Sequence, residues 1–137
     1  MPPKYFLHLL MAFIVGFSFL SANATPLITE FMADNTETLA DEDGDFPDWI
    51  EIHNPDAAAV DLDGWTLTDN ATNLTKWTFP PATIAPGGFL VVFASGKNRQ
   101  VPENELHTSF SLSAGGEYLA LVEPGKTTIA NEFSPEY

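Results

Sequence analysis

The chain has 137 residues, with 19 acidic side chains against five lysines and arginines, for a net charge of −14. That balance excludes a nucleic-acid interface, which needs basic patches to neutralise phosphate, and it excludes docking on anionic lipid. The lack of cysteine excludes a disulfide framework, a thiol nucleophile, a haem-attachment motif and a cysteine-ligated zinc site.

Residues 1–24 read as a secretory signal peptide. Lys4 supplies the positive start, Tyr5 to Leu20 is apolar apart from His8, Gly16 and Ser18, and Ala22-Asn23-Ala24 places cleavage before Thr25. A membrane anchor is the rival reading, but the apolar run is short for a span of about 20 residues and the small-residue site follows it directly. Cleavage removes Lys4 and leaves four basic and 19 acidic side chains, a net charge of −15. So acidic a chain suits a cation-rich exterior. The protein is expected to be secreted or held at the cell surface, without membrane insertion after cleavage.

Residues 25–137 carry one domain. Leu27 to Met32 is strand-like, and Asp34 to Pro47 is a polar loop without helical periodicity. Pro47 to Asn54 alternates, with Ile50 and Ile52 on one face and Trp49, Glu51 and His53 on the other. Asn54-Pro55-Asp56 is a turn signal, and Val60-Asp61-Leu62 is a possible short strand. From Gly64 to Asp69 the chain alternates again as a half-buried strand does, with Trp65 and Leu67 on one face and Thr66 and Thr68 on the other, and Trp65 reads as a core aromatic. Asn70 to Thr75 is a polar turn holding two sequons, which matter only in a host that glycosylates them.

Trp77 and Phe79 share one face of a strand that Pro80-Pro81 stops. Ile84 to Gly88 is a turn. Phe89 to Ala94 is nearly all apolar, which predicts a central strand covered on both faces. Ser95 to Leu106 is a loop carrying Lys97 and Arg99. Phe110 and Leu112 alternate with serines as another strand, Ala114-Gly115-Gly116 is a hairpin-type turn, Glu117 to Glu123 is the returning strand, and Thr127 to Phe133 is one more. Many short strands between Gly, Pro, Asn and Asp predict an all-β antiparallel sandwich.

Five carboxylates crowd into Asp41 to Asp48. Oxygen ligands on alternate residues suit Ca²⁺, and Asp41, Asp43 and Asp45 have the spacing of the first three ligands of an EF-hand loop, with Asp48 as a further candidate. Phe46 and Ile52 stand where that loop needs glycine and glutamate, so it is not an EF-hand; a solvated acidic loop turning on its own Asp side chains is the alternative reading. Glu30 and Glu51 are candidate paired carboxylates of a glycosidase, but nothing sets their separation, and hydrogen bonds to loop backbone or ion pairs with Arg99 or a lysine are the plainer expectation. Ser95, Ser109, Ser111 and Ser113 with His53 and His107 raise a hydrolase reading, without a G-x-S-x-G elbow to support it.

The segments Asp48 to Asn54, Leu62-Asp63-Gly64-Trp65, Trp77-Thr78-Phe79-Pro80, Ile84 to Gly88 and Gly116 to Leu121, in that order, resemble the lamin tail domain family from about Leu27 to Phe133. The acidic segment before Asp48 is similar to its secreted bacterial branch. The resemblance implies an immunoglobulin-like β-sandwich, no intrinsic catalytic activity and a role as an interaction module in exported or surface proteins. It also implies chain beyond Phe133, so the last strand is expected to be truncated. The nuclear role of animal lamins does not transfer, because heptads are absent and a signal peptide is present. The expectation is a secreted, non-enzymatic module that binds a protein or glycan at the cell exterior, with no cofactor except Ca²⁺ at the acidic loop. The rivals are a spacer from a larger exported enzyme and a small hydrolase.

Overall fold

A computed structural model describes residues 25–134 apart from Glu117. The signal-peptide reading lies outside the described residues. The strands are β1 (Leu27–Met32), β2 (Asp48–His53), β3 (Val60–Asp61), β4 (Thr66–Thr68), β5 (Trp77–Thr78), β6 (Thr83–Ile84), β7 (Phe89–Ala94), β8 (Leu106–His107), β9 (Leu119–Val122) and β10 (Ile129–Phe133). They form two four-stranded sheets, β1-β2-β7-β8 and β10-β9-β4-β5, and a two-stranded ribbon, β3-β6. This is the expected immunoglobulin-like sandwich, antiparallel except where β8 runs parallel to β7.

Period-two alternation sets the core. Ile50 pairs with Val92 and Ile52 with Leu90 across β2 and β7, and both isoleucines and Val92 are fully buried. Facing them, Leu67 lies beside Trp77 across β4 and β5, and the Trp77 ring meets Phe79 edge-on at 4.8 Å. Trp65 joins this core at 7 % exposure, as expected of a core aromatic. One side of the sandwich closes where Phe31 of β1 meets Phe133 of β10 edge-on at 5.3 Å, and Ile28 N donates to Asn131 Oδ1 at 2.9 Å.

Four expectations are corrected. Thr66 and Thr68 do not face water. Both are fully buried, because the 70–75 loop folds back over that face and takes their hydroxyls on its carbonyls, Thr66 to Leu74 at 2.6 Å and Thr68 to Asn73 at 2.7 Å. Asn70 and Asn73 shape this loop, each accepting from the backbone N–H and the hydroxyl of the threonine two residues on. β7 is interior to its sheet, but only Val92, Phe93 and Ala94 are buried; Phe89 is 59 % exposed. Residues 110–112 form no strand beyond one bridge from Ser111 to Ser95, so Gly115-Gly116 closes no hairpin; β9 pairs with β4 and β10 instead. Ile84, read as the start of a turn, joins Thr83 in β6, which pairs with Val60 and Asp61 of β3.

Candidate functional site

The acidic loop is ordered by its own side chains. Asp41 is buried and works in two directions. Its Oδ1 accepts from the Asp43 and Asp45 backbone N–H groups, each at 3.0 Å, while its Oδ2 faces Lys97. Gly44 turns the chain at φ +83°, a left-handed conformation natural to glycine. The carboxylates of Asp41, Asp43 and Asp45 converge, with an oxygen from each lying within 4.8 Å of the others. The position between them is occupied by the Lys97 ammonium, at 2.5 Å from Asp41, 2.7 Å from Asp43 and 2.9 Å from Asp45. Arg99 pairs with Asp43 and Glu42 at 2.6 and 2.7 Å.

The hydrogen bonds from Arg99 and Lys97 pull the Asp43 carboxyl down to about 2. Burial alone would raise Asp41, but the hydrogen bonds from Lys97 and from the Asp45 and Asp43 backbone outweigh it and hold the carboxyl below its ordinary value. The three carboxylates raise Lys97 in turn. Asp48 does not join this cluster. Its Oδ1 accepts from the Asp34 and Asn35 backbone N–H groups at 2.8 and 3.3 Å, which fixes the entry to the loop. Asn35 holds the rest, donating to the Leu39 and Pro47 carbonyls at 2.7 and 2.9 Å and accepting from Thr38 N at 3.0 Å.

The hydrolase candidates divide. Ser95 Oγ lies 2.8 Å from His107 Nδ1, so one serine–histidine pair does form. His107 is fully buried and stacks on Phe93 at 5.3 Å, and its Nε2 is buried with no hydrogen-bond partner among the described residues. A catalytic histidine needs that second nitrogen oriented by a third group, and the base must reach substrate. Burial, with Arg99 nearby, holds the His107 ring below its ordinary value. Ser95 Oγ also accepts from Lys97 N at 3.1 Å, so the pair ties the 95–107 loop together. His53 stands apart, stacked on Phe89 at 4.3 Å. Glu30 and Glu51 sit opposite each other across β1 and β2, with Glu51 accepting from the Thr29 hydroxyl at 2.8 Å. Neither is ion-paired among the described residues, so the expected pairing with Arg99 or a lysine does not form.

At the opposite end of the sandwich lies a groove of about 420 Å³. Val60 and Trp65 give it an apolar wall, Asp61, Glu123 and Thr25 supply its polar side chains, and Pro124 forms part of its rim. The ends of several elements build it. Gly64, at φ +78°, turns the chain from β3 into β4 and packs against Pro124, where an added Cβ would lie 3.5 Å from the proline Cβ. Thr25 N donates to the Asp56 carboxylate at 2.9 Å and fixes the start of β1 there. Asn54, fully buried, ties the neighbouring turns together: its side-chain NH₂ reaches the carbonyls of Ala58, Ile84 and Ala85 at 2.8, 3.2 and 3.1 Å, and its Oδ1 accepts from Asp56 N at 3.1 Å. Sequence reasoning took Asn54 for a turn residue and did not find the groove. Asp61 and Glu123 are 62 positions apart, and only the register of β3, β4 and β9 brings their ends together.

A search of curated proteins finds no match to the chain. The family model described as Lamin Tail Domain matches residues 20–134, nearly the whole chain. That family consists of immunoglobulin-like, generally non-enzymatic domains, which agrees with the two packed sheets. The match and the sandwich together establish that the chain belongs to the lamin tail domain family.

Proposed function

We propose that the chain is an exported interaction module of the secreted bacterial kind, which binds a protein or glycan outside the cytoplasm and performs no chemistry. The observation that carries this reading is the groove between Trp65, Asp61 and Glu123, a concave surface of the size that ligand sites use, built on the rigid end of a sandwich. The polar clusters elsewhere are closed on themselves: Asp41, Asp43 and Asp45 on Lys97, and Ser95 on His107. Export is supported by Thr25, whose nitrogen lies 2.9 Å from Asp56 Oδ2. Cleavage before Thr25 turns that N–H into an ammonium beside a carboxylate. Calcium at the acidic loop is proposed only in competition with Lys97, because an ion on the three carboxylates has to displace the ammonium between them. The test is equilibrium binding of the purified protein to fractionated exterior proteins and glycans. Saturable binding that Trp65-edge and groove substitutions weaken supports the module; failure to bind any exterior fraction favours the spacer reading instead.

A further inference from the structure

We infer that the groove receives a lysine or arginine side chain from a basic segment of a protein partner. This rests on the reading of the chain as an interaction module and names the chemistry its site selects. The groove's polar side chains are two carboxylates and one hydroxyl. Ionised carboxylates only accept hydrogen bonds, so such a lining selects a donor-rich ligand. A neutral sugar presents hydroxyls that need donors as well as acceptors, and an acidic glycan is repelled.

Charge accounting across the molecule points the same way. Of the four basic side chains in residues 25–137, Lys76 is paired with Asp69, while Lys97 and Arg99 are held at the acidic loop at the far end. Lys126 makes no ion pair among the described residues, the ammonium that cleavage would leave on Thr25 lies beside Asp56, and no described cation bridges to Asp61 or Glu123. Asp61 is pre-positioned, since its Oδ1 accepts from Asp63 N at 2.9 Å in a tight turn. Trp65 supplies an aromatic edge and Val60 an aliphatic wall, surfaces on which the methylene stem of lysine or arginine packs while its charged head reaches the carboxylates. The cation that Asp61 and Glu123 lack is therefore one that a partner brings.

The test titrates the purified full-chain protein with the capped peptide GSRSG, following the Trp65 indole N–H resonance. A peptide with norleucine in place of arginine and a neutral N-acetylglucosamine oligomer serve as the other probes. The arginine peptide should shift the Trp65 signal saturably and bind at least tenfold more tightly than the norleucine peptide. Asp61→Asn with Glu123→Gln should weaken it at least tenfold; the amide introduced at position 61 keeps the oxygen that accepts from Asp63 N, so the turn survives. Glu37→Gln with Glu103→Gln, which removes the same charge from exposed positions elsewhere, should change binding less than twofold. Equal weakening by the two double variants would reduce the effect to general attraction by an acidic protein and overturn the inference. A Trp65 shift from the oligosaccharide and none from the arginine peptide would also overturn it while leaving the interaction module standing. Silence at Trp65 with every probe, alongside binding to an exterior fraction, would overturn it too and place the module's ligand elsewhere.

Discussion

Replacing Asn54 by aspartate should unfold this domain far more readily than its near-identical shape suggests. The substitution keeps the Oδ1 that accepts from Asp56 N, and exchanges an NH₂ for an oxygen facing the carbonyls of Ala58, Ile84 and Ala85 at 2.8–3.2 Å. Two N–H donors serve those three carbonyls, so one contact is shared. Losing the two donors inside the protein costs about 1–2 kcal/mol each, and placing a carboxyl against buried carbonyls adds about 1 kcal/mol or more, because neither side can turn to water. The expected loss is about 3–5 kcal/mol, a large share of the roughly 5–15 kcal/mol that holds a domain together. For a domain near 100 residues this lowers Tm by about 12–20 °C, at about 4 °C per kcal/mol. The control is Asn70→Asp. Asn70 is exposed and uses only its Oδ1, toward the Thr72 N–H and hydroxyl, so aspartate preserves its contacts and the change should stay below about 0.5 kcal/mol. Urea unfolding of both variants against the native protein decides it. A loss below about 1 kcal/mol for Asn54→Asp would refute the claim that this side chain holds the groove end together.

Trp65→Ala should cost about 3–5 kcal/mol through lost transfer energy and a cavity, read by urea denaturation; a loss under about 1 kcal/mol would return Trp65 to the surface. Asp43, held at about 2, and Asp41, also lowered, stabilise the fold fully above their ordinary 3.8, and that contribution is lost as pH falls toward 2. Lys97→Gln should therefore move the onset of acid unfolding to higher pH; an unchanged acid limb in circular dichroism melts would contradict the ion cluster. The same variant removes the ammonium from between the three carboxylates, so millimolar calcium should raise its Tm more than ionic-strength-matched sodium does, and more than calcium raises the native protein. His107, lowered by burial, costs stability as pH drops below 6.5, where the unfolded chain takes up a proton that the folded ring resists. His107→Asn should flatten that slope in pH-dependent denaturation, and a slope unchanged by the substitution would assign it to another group.

The sandwich was legible in the sequence because alternation reports burial directly. Ile50, Ile52 and Leu67 fall on the face that their period assigns. The errors arose where a distant segment decides burial. Thr66 and Thr68 read as the polar face of a half-buried strand, and only the fold of the 70–75 loop over them takes their hydroxyls in. Leu106 and His107 carry no strand signal of their own, but the free edge of β7 offers them a parallel ladder. At the acidic loop the residue types pointed to a cation and the sequence placed Lys97 and Arg99 in a loop of their own. Nothing local joins Lys97 to Asp41 across 56 positions, so its ammonium among these carboxylates could not be read from the pattern. Asp48 was grouped with the cluster by proximity, yet as the first residue of β2 it points to the other end of the loop. The groove left no trace in the sequence, because its carboxylates meet only through strand register.

The central claim is that the Trp65 groove is where this lamin tail domain meets a protein partner. Site-specific photo-crosslinking in producing cells tests it most directly, with the photoreactive residue placed either at Ala59, on the groove, or at Ala71, on the exposed 70–75 loop. The account predicts a discrete crosslinked protein species from Ala59 that is absent from Ala71 and is lost when Asp61→Asn and Glu123→Gln are added. Crosslinks of equal yield from both positions, or a species from Ala59 that survives neutralisation of the groove, would contradict it.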